Sequence, residues 1–135
     1  MTASNRRKFL GTAAALVAGT AAAKAGATAP APQKPLIHHA IFWLKDPQSA
    51  ADRDKLVEGV KTLAKIPTVQ SLHVGILAST EKRDVVDNTW SVSEVMFFKD
   101  LEGQATYQTH PVHLAFVKAY GHLWEKVVVY DAITV

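Results

Sequence analysis

Tyr107-Gln108-Thr109-His110-Pro111-Val112-His113 decides how the second half of this chain is organised. Proline lacks the amide hydrogen that a helix interior needs, but it suits a first helical position. The stretch therefore closes one helix and opens another. Upstream, Asp100 is placed to cap a short helix through Tyr107; downstream, a second helix runs from Pro111 to about Leu123. At such a break a side chain can point into the space between helices and sheet. His110 and His113, three residues apart, fall within one helical turn.

Working outward, the remaining segments read alternately as strands and one further helix. Leu36 to Leu44 is rich in Ile, Phe and Trp. Alternation puts Ile37, His39, Ile41 and Trp43 on one face and His38, Ala40, Phe42 and Leu44 on the other. Both faces are largely apolar, so both are expected to be covered. Asp46-Pro47-Gln48-Ser49 ends the strand, and Ser49 is an N-cap for a helix over residues 50–66. Leu56, Val60, Leu63 and Ala64 form its apolar stripe, and Pro67 stops it. Val69 to Ala78 and Trp90 to Phe98 read as antiparallel strands joined by a polar loop, and Val127 to Val135 is a last strand. The order β-α-β-β-α-β, with the second helix broken at Pro111, predicts an α+β, ferredoxin-like domain. Its four-stranded antiparallel sheet carries helices on one face. The other face keeps large apolar side chains, and a second copy packed sheet to sheet buries them; a homodimer is expected.

The first 35 residues differ in kind. They hold no acidic residue and are dominated by Ala, Gly, Thr and Pro. Arg6-Arg7-Lys8-Phe9-Leu10 resembles the twin-arginine export motif, with Asn5 where Ser or Thr usually stands. The apolar stretch Phe9 to Ala23 is too short and too weakly hydrophobic for a stable membrane span, and several small-x-small cleavage positions follow. Pro30, Pro32 and Pro35 mark an extended linker. Residues 1–35 are thus expected to be a signal peptide with a Pro/Ala linker, residues 36–135 the working domain, and the destination periplasmic or secreted. No membrane association is expected after cleavage.

The charge follows the same division. All 12 acidic residues lie at Asp46 or later; removing Arg6, Arg7, Lys8 and Lys24 takes the formal net charge from +3 to −1, and Lys34, the fifth basic residue of this stretch, takes it to −2. A near-neutral domain lacks the electrostatic footprint for nucleic acid. The chain has no cysteine, which excludes disulfides, thiolate metal sites and a Cys nucleophile.

Tyr107-x-x-His110-Pro111-x-His113 followed by Ala115-Phe116 resembles the stress-responsive A/B barrel (Dabb) family. So do Phe98-Lys99-Asp100-Leu101-Glu102 before it, His39 in an Ile/Phe-rich first strand, and Val69, Ser71, Val74 and Gly75 in the second. The resemblance spans the whole domain and implies a dimeric α+β barrel. A plant polyketide cyclase of that family uses a Tyr and the second His of the motif, at positions matching Tyr107 and His113, and its first-strand His matches His39. The resemblance thus implies an apolar pocket lined by His39, Ile41, Trp43, His110 and Phe116, with His113 and Tyr107 as the chemical pair.

Three functional readings follow. The first is a stress-related binder of a small hydrophobic or carbonyl-bearing molecule. The second is a cofactor-independent lyase or cyclase. There His113 is the general base for an aldol closure and Tyr107 holds the developing enolate oxygen, with no metal or organic cofactor. The third is a structural protein with a filled interior. Individual residues also carry open alternatives: His113 as a cap or core histidine, Tyr107 as a core aromatic, His110 as a helix-terminal residue, and His39 packed under Trp43.

Overall fold

The structure is a computed structural model that describes Gly26 and residues 33–135; the signal-segment reading falls on residues outside these. β1 (Leu36–Leu44) spans the nine residues the sequence indicates. It pairs antiparallel with β3 (Val92–Phe98) on one edge and β4 (Trp124–Ile133) on the other. β2 (Ser71–Ile76) pairs with β3, giving one four-stranded sheet of order β2-β3-β1-β4.

The helices are α1 (Ala50–Thr62), α2 (Leu101–Thr109) and α3 (Pro111–Tyr120). The Ser49 hydroxyl accepts from the Asp52 amide and the Asp100 carboxylate from the Gly103 amide, as the sequence predicts. Short 3₁₀ turns at Leu63–Lys65 and Gly121–Leu123 finish the runs read as longer helices. Among the described residues, no helix is long and apolar enough to cross a membrane.

The helices lie on the face of the sheet that carries Leu36, His38, Ala40, Phe42 and Leu44 from β1 and Val92, Glu94, Met96 and Phe98 from β3. Leu56, Val60 and Leu63 reach down from α1 and its following turn, and Phe116 from α3. Ala64, expected on that stripe, is exposed, because the chain tightens into the 3₁₀ turn and rotates it outward. The opposite face presents Ile37, His39, Ile41 and Trp43 together with Val95, Phe97, Val128 and Tyr130, and no helix among the described residues covers it.

α1 and α3 touch at Gly59. A Cβ built there lies 2.7 Å from the Tyr120 ring, against its Cγ and Cδ atoms. Ala in place of Gly normally favours a helix by about 1 kcal/mol. Here the contact falls on the Cγ end of the ring, close to its own backbone rather than at a flexible tip, so overpacking decides the sign. Gly59→Ala is expected to destabilise the domain by about 1–3 kcal/mol in urea unfolding.

Candidate functional site

Between α2–α3 and the sheet lies a group of polar side chains in an otherwise apolar interior. Tyr107, in the last turn of α2, is 2% exposed. Its hydroxyl donates to Oε1 of Glu94 at 3.3 Å. Glu94 projects from the centre of β3 and is 1% exposed. Next to it on β1 is His38, also buried, with Nε2 at 3.8 Å from Glu94 Oε1. The Nδ1 of His38 is 2.6 Å from Oδ1 of Asp131, on the edge strand β4. A carboxylate only accepts, so Nδ1 carries the hydrogen in this contact. The register places Asp131 directly opposite His38, which is why the pair forms.

The helix break supplies the other side. His110 ends α2 and caps α3, with Nδ1 accepting from the Val112 amide at 3.1 Å. The turn brings His113 back over Tyr107, ring centroids 4.7 Å apart. His113 Nδ1 lies 3.0 Å from the Gln108 carbonyl, which again only accepts, so Nε2 is left as the basic nitrogen. Burial lowers the His113 pKa and the nearby His38 lowers it further, against the raising effect of the Gln108 carbonyl. The imidazole is therefore neutral at neutral pH.

These contacts redistribute the residues singled out from the sequence. Tyr107 and His113 are brought together. His39, Ile41 and Trp43 are on the opposite face of the sheet and share no space with them. His39 Nε2 lies 3.0 Å from the Ser93 hydroxyl on β3, and its pKa is lowered by burial first and by His38 second. Trp43 donates to Thr89 at 2.9 Å and carries Lys126 over its ring. Phe116 is core, stacked on Trp124 and edge-on to Phe42. His110 caps. The grouping of His39 with Tyr107 and His113 is thus corrected: His38 holds that place, because the helices cover the even-numbered face of β1.

Glu94 and Asp131 were not singled out from the sequence, although period-two alternation marks both. Glu94 falls in line with Val92, Met96 and Phe98, and Asp131 with Val127, Val129 and Ile133. An acidic residue on an apolar strand face is the signal. A shallow hollow of about 650 Å³ lies elsewhere, under the loop of residues 77–90; there Arg83 pairs with Glu81 at 3.0 Å in a solvated setting.

Burial pushes the Glu94 carboxyl up to about 7, although the Tyr107 hydrogen bond pulls the other way. Burial, followed by the neighbouring Glu94 carboxylate, likewise raises the Tyr107 phenol. Since an unfolded Glu loses its proton near 4.5, the folded chain holds a proton that the unfolded chain has lost between that value and about 7. Stability is expected to fall as pH rises through that window, by about 3 kcal/mol in all. Glu94→Gln removes this contribution. Subtracting its stability-versus-pH curve from that of the wild type isolates the Glu94 share from the opposing one of His39 and His113.

Comparisons place this arrangement among known proteins. No curated protein matches the chain. Among solved structures, a Dabb family protein with a ferredoxin-like fold from Mesorhizobium loti is 24% identical, with TM-score 0.61 over 76% of this chain and 99% of that one. A dimeric ferredoxin-like protein of unknown function from Thermobifida fusca is 18% identical, with TM-score 0.61 over 74% and 91%. The hydroxynitrile lyase of Passiflora edulis is 19% identical, with TM-score 0.63 over 78% and 96%. Identities this low carry the fold, not the reaction. The family model described as Stress responsive A/B Barrel Domain matches residues 36–134, and the chain belongs to that family.

Proposed function

We propose that this chain is an exported, dimeric binder of a small hydrophobic or carbonyl-bearing molecule, with Tyr107 and His113 facing the ligand and His38 beside them. One observation supports this above the rest. Glu94, His38 and Tyr107 are buried together where packing alone calls for apolar side chains, with His113 against Tyr107 and the exposed Asp131 bonded to His38. Burying polar and ionisable groups costs stability, and a merely filled interior has no need of them. Beside them, β4 takes its main contacts from β1, and its helix-side residues Val127, Val129 and Ile133 stay exposed. Val117, one turn beyond His113, is also exposed. Together they offer apolar surface next to polar groups, the usual composition of a ligand site.

A second copy on the uncovered sheet face accounts for Ile37, Ile41, Trp43, Val95 and Phe97 there, and the Thermobifida fusca relative in fold is described as dimeric. The twin-arginine segment supports export to the periplasm or beyond.

A second reading is a cofactor-independent lyase or cyclase. His113 favours it: a neutral imidazole with Nδ1 tied to Gln108 and Nε2 basic is suited to take a proton from carbon, while Tyr107 donates to the developing oxyanion. The hydroxynitrile lyase of Passiflora edulis gives that reading a relative in fold.

Native mass spectrometry of the exported protein is expected to show a dimer with a retained small molecule, and His113→Ala is expected to lose the molecule but not the dimer. A ligand-free monomer overturns the proposal; a molecule chemically altered by the wild type alone favours the enzyme reading. Replacing Arg6 and Arg7 together by Lys is expected to leave the full-length precursor in the cytoplasm, and unchanged export overturns the twin-arginine assignment.

A further inference from the structure

Glu94 is set in an unusual way for a buried acid. Its one hydrogen-bond donor among the described residues is a tyrosine hydroxyl, and its one nearby basic group is a histidine. Every element packed around it can be counted. β1 turns His38 toward it, β4 lies behind with Asp131, α2 gives Tyr107, and α3 gives His113 next to Tyr107. α1 turns Leu56, Gly59 and Val60 inward with Val57 packed beside them, and β2 adds Leu72 and Val74 on this face. No lysine or arginine is among them, so ionised Glu94 has only His38 as a partner for its charge.

We propose that Glu94 is the proton-carrying residue of this site: its carboxyl exchanges protons with solvent through His38 and Asp131, and its protonation turns the Tyr107 hydroxyl away from Glu94 and toward a carbonyl or enolate oxygen of a bound ligand. This rests on the ligand-site reading above.

The switch follows from counting protons. Tyrosine has one hydroxyl hydrogen. An ionised carboxylate can only accept, so ionised Glu94 commits that hydrogen. A protonated carboxyl can donate to the tyrosine oxygen instead, and the tyrosine hydrogen becomes free for a ligand. The route outward crosses the helix-side face of the sheet, diagonally from Glu94 to His38 and then straight across to Asp131. Asp131 is exposed and touches Nδ1 of His38 at 2.6 Å, while Nε2 faces Glu94 at 3.8 Å. A shift of about 1 Å brings that second pair to hydrogen-bond length. From the tautomer with the hydrogen on Nδ1, protonated Glu94 gives its proton to Nε2 as the Nδ1 proton passes to Asp131 and on to solvent; uptake is the same step reversed, from the Nε2–H tautomer. In each direction one O–H and one N–H bond break, one of each forms, and the imidazole ends as its other tautomer. Burial supports the scheme by holding Glu94 near 7, where both of its forms are populated around neutrality.

The test is carboxyl and phenol carbon NMR on full-length protein labelled at Glu Cδ and Tyr Cζ, titrated from about pH 5 to about pH 9. The Glu94 signal is expected to titrate near neutrality, and the Tyr107 Cζ signal to follow it with the same midpoint. In Glu94→Gln the Tyr107 signal should stay flat across the range. Tyr107→Phe removes the one donor that favours the carboxylate, so the Glu94 midpoint should rise by about one pH unit. A Glu94 carboxyl that does not titrate in this range overturns the proposal, as does a Tyr107 signal indifferent to it. For the ligand step the probe is acetophenone, a ketone without a titration of its own. Its affinity should fall about tenfold per pH unit above the Glu94 midpoint in wild type and be flat in Glu94→Gln. Equal affinity on both sides of the midpoint overturns the switch. A normal titration with no acetophenone binding at any pH instead overturns the ligand-site reading beneath it.

Discussion

β1 is hydrogen-bonded along both edges, to β3 and to β4, and the other elements take their places from it. Two fixed registers leave the strand no freedom to slide, and a slip of one residue would send every side chain through the sheet. Leu36, Ala40, Phe42 and Leu44 are thereby committed to the helix layer, and α1 and α3 close over them with Leu56, Val60 and Phe116. The same commitment places His38 in the interior. It draws Asp131 opposite it from β4 and sets Glu94 two pairs along on β3, on the same face.

The helix layer completes the site by being interrupted. A continuous helix from Leu101 to Tyr120 would carry His113 along the same rod as Tyr107. Pro111 and the His110 cap turn the chain, and the two rings meet instead. The interior then contains acidic, basic and phenolic groups whose protons depend on one another. Their stability cost sits in the same residues that give the site its chemistry.

Much of this was legible in the sequence, for reasons that differ by residue. The bounds of β1, the caps at Ser49 and Asp100, and the break at Pro111 follow from local rules of alternation and capping, and the structure agrees with each. Tyr107 and His113 were legible because the break is local too. The choice between His38 and His39 was not. Both faces of β1 are apolar, and only the packing of distant helices decides which is the inner one. Glu94 and Asp131 lie 56 and 93 residues from His38, and their meeting depends on register between strands far apart in sequence. Alternation alone marks each as an oddity; it does not say that the oddities touch.

The neighbouring histidines of β1 look out on different surroundings. His38 belongs to the interior beneath α2 and α3, and His39, held to Ser93, belongs to the face where a second copy is proposed to dock. Yet only the thickness of one strand separates them, and the pKa of His39 is lowered by burial first and by His38 second. The sheet that parts the two compartments therefore does not isolate them electrically: a charge on His38 is one of the two things that disfavour a charge on His39.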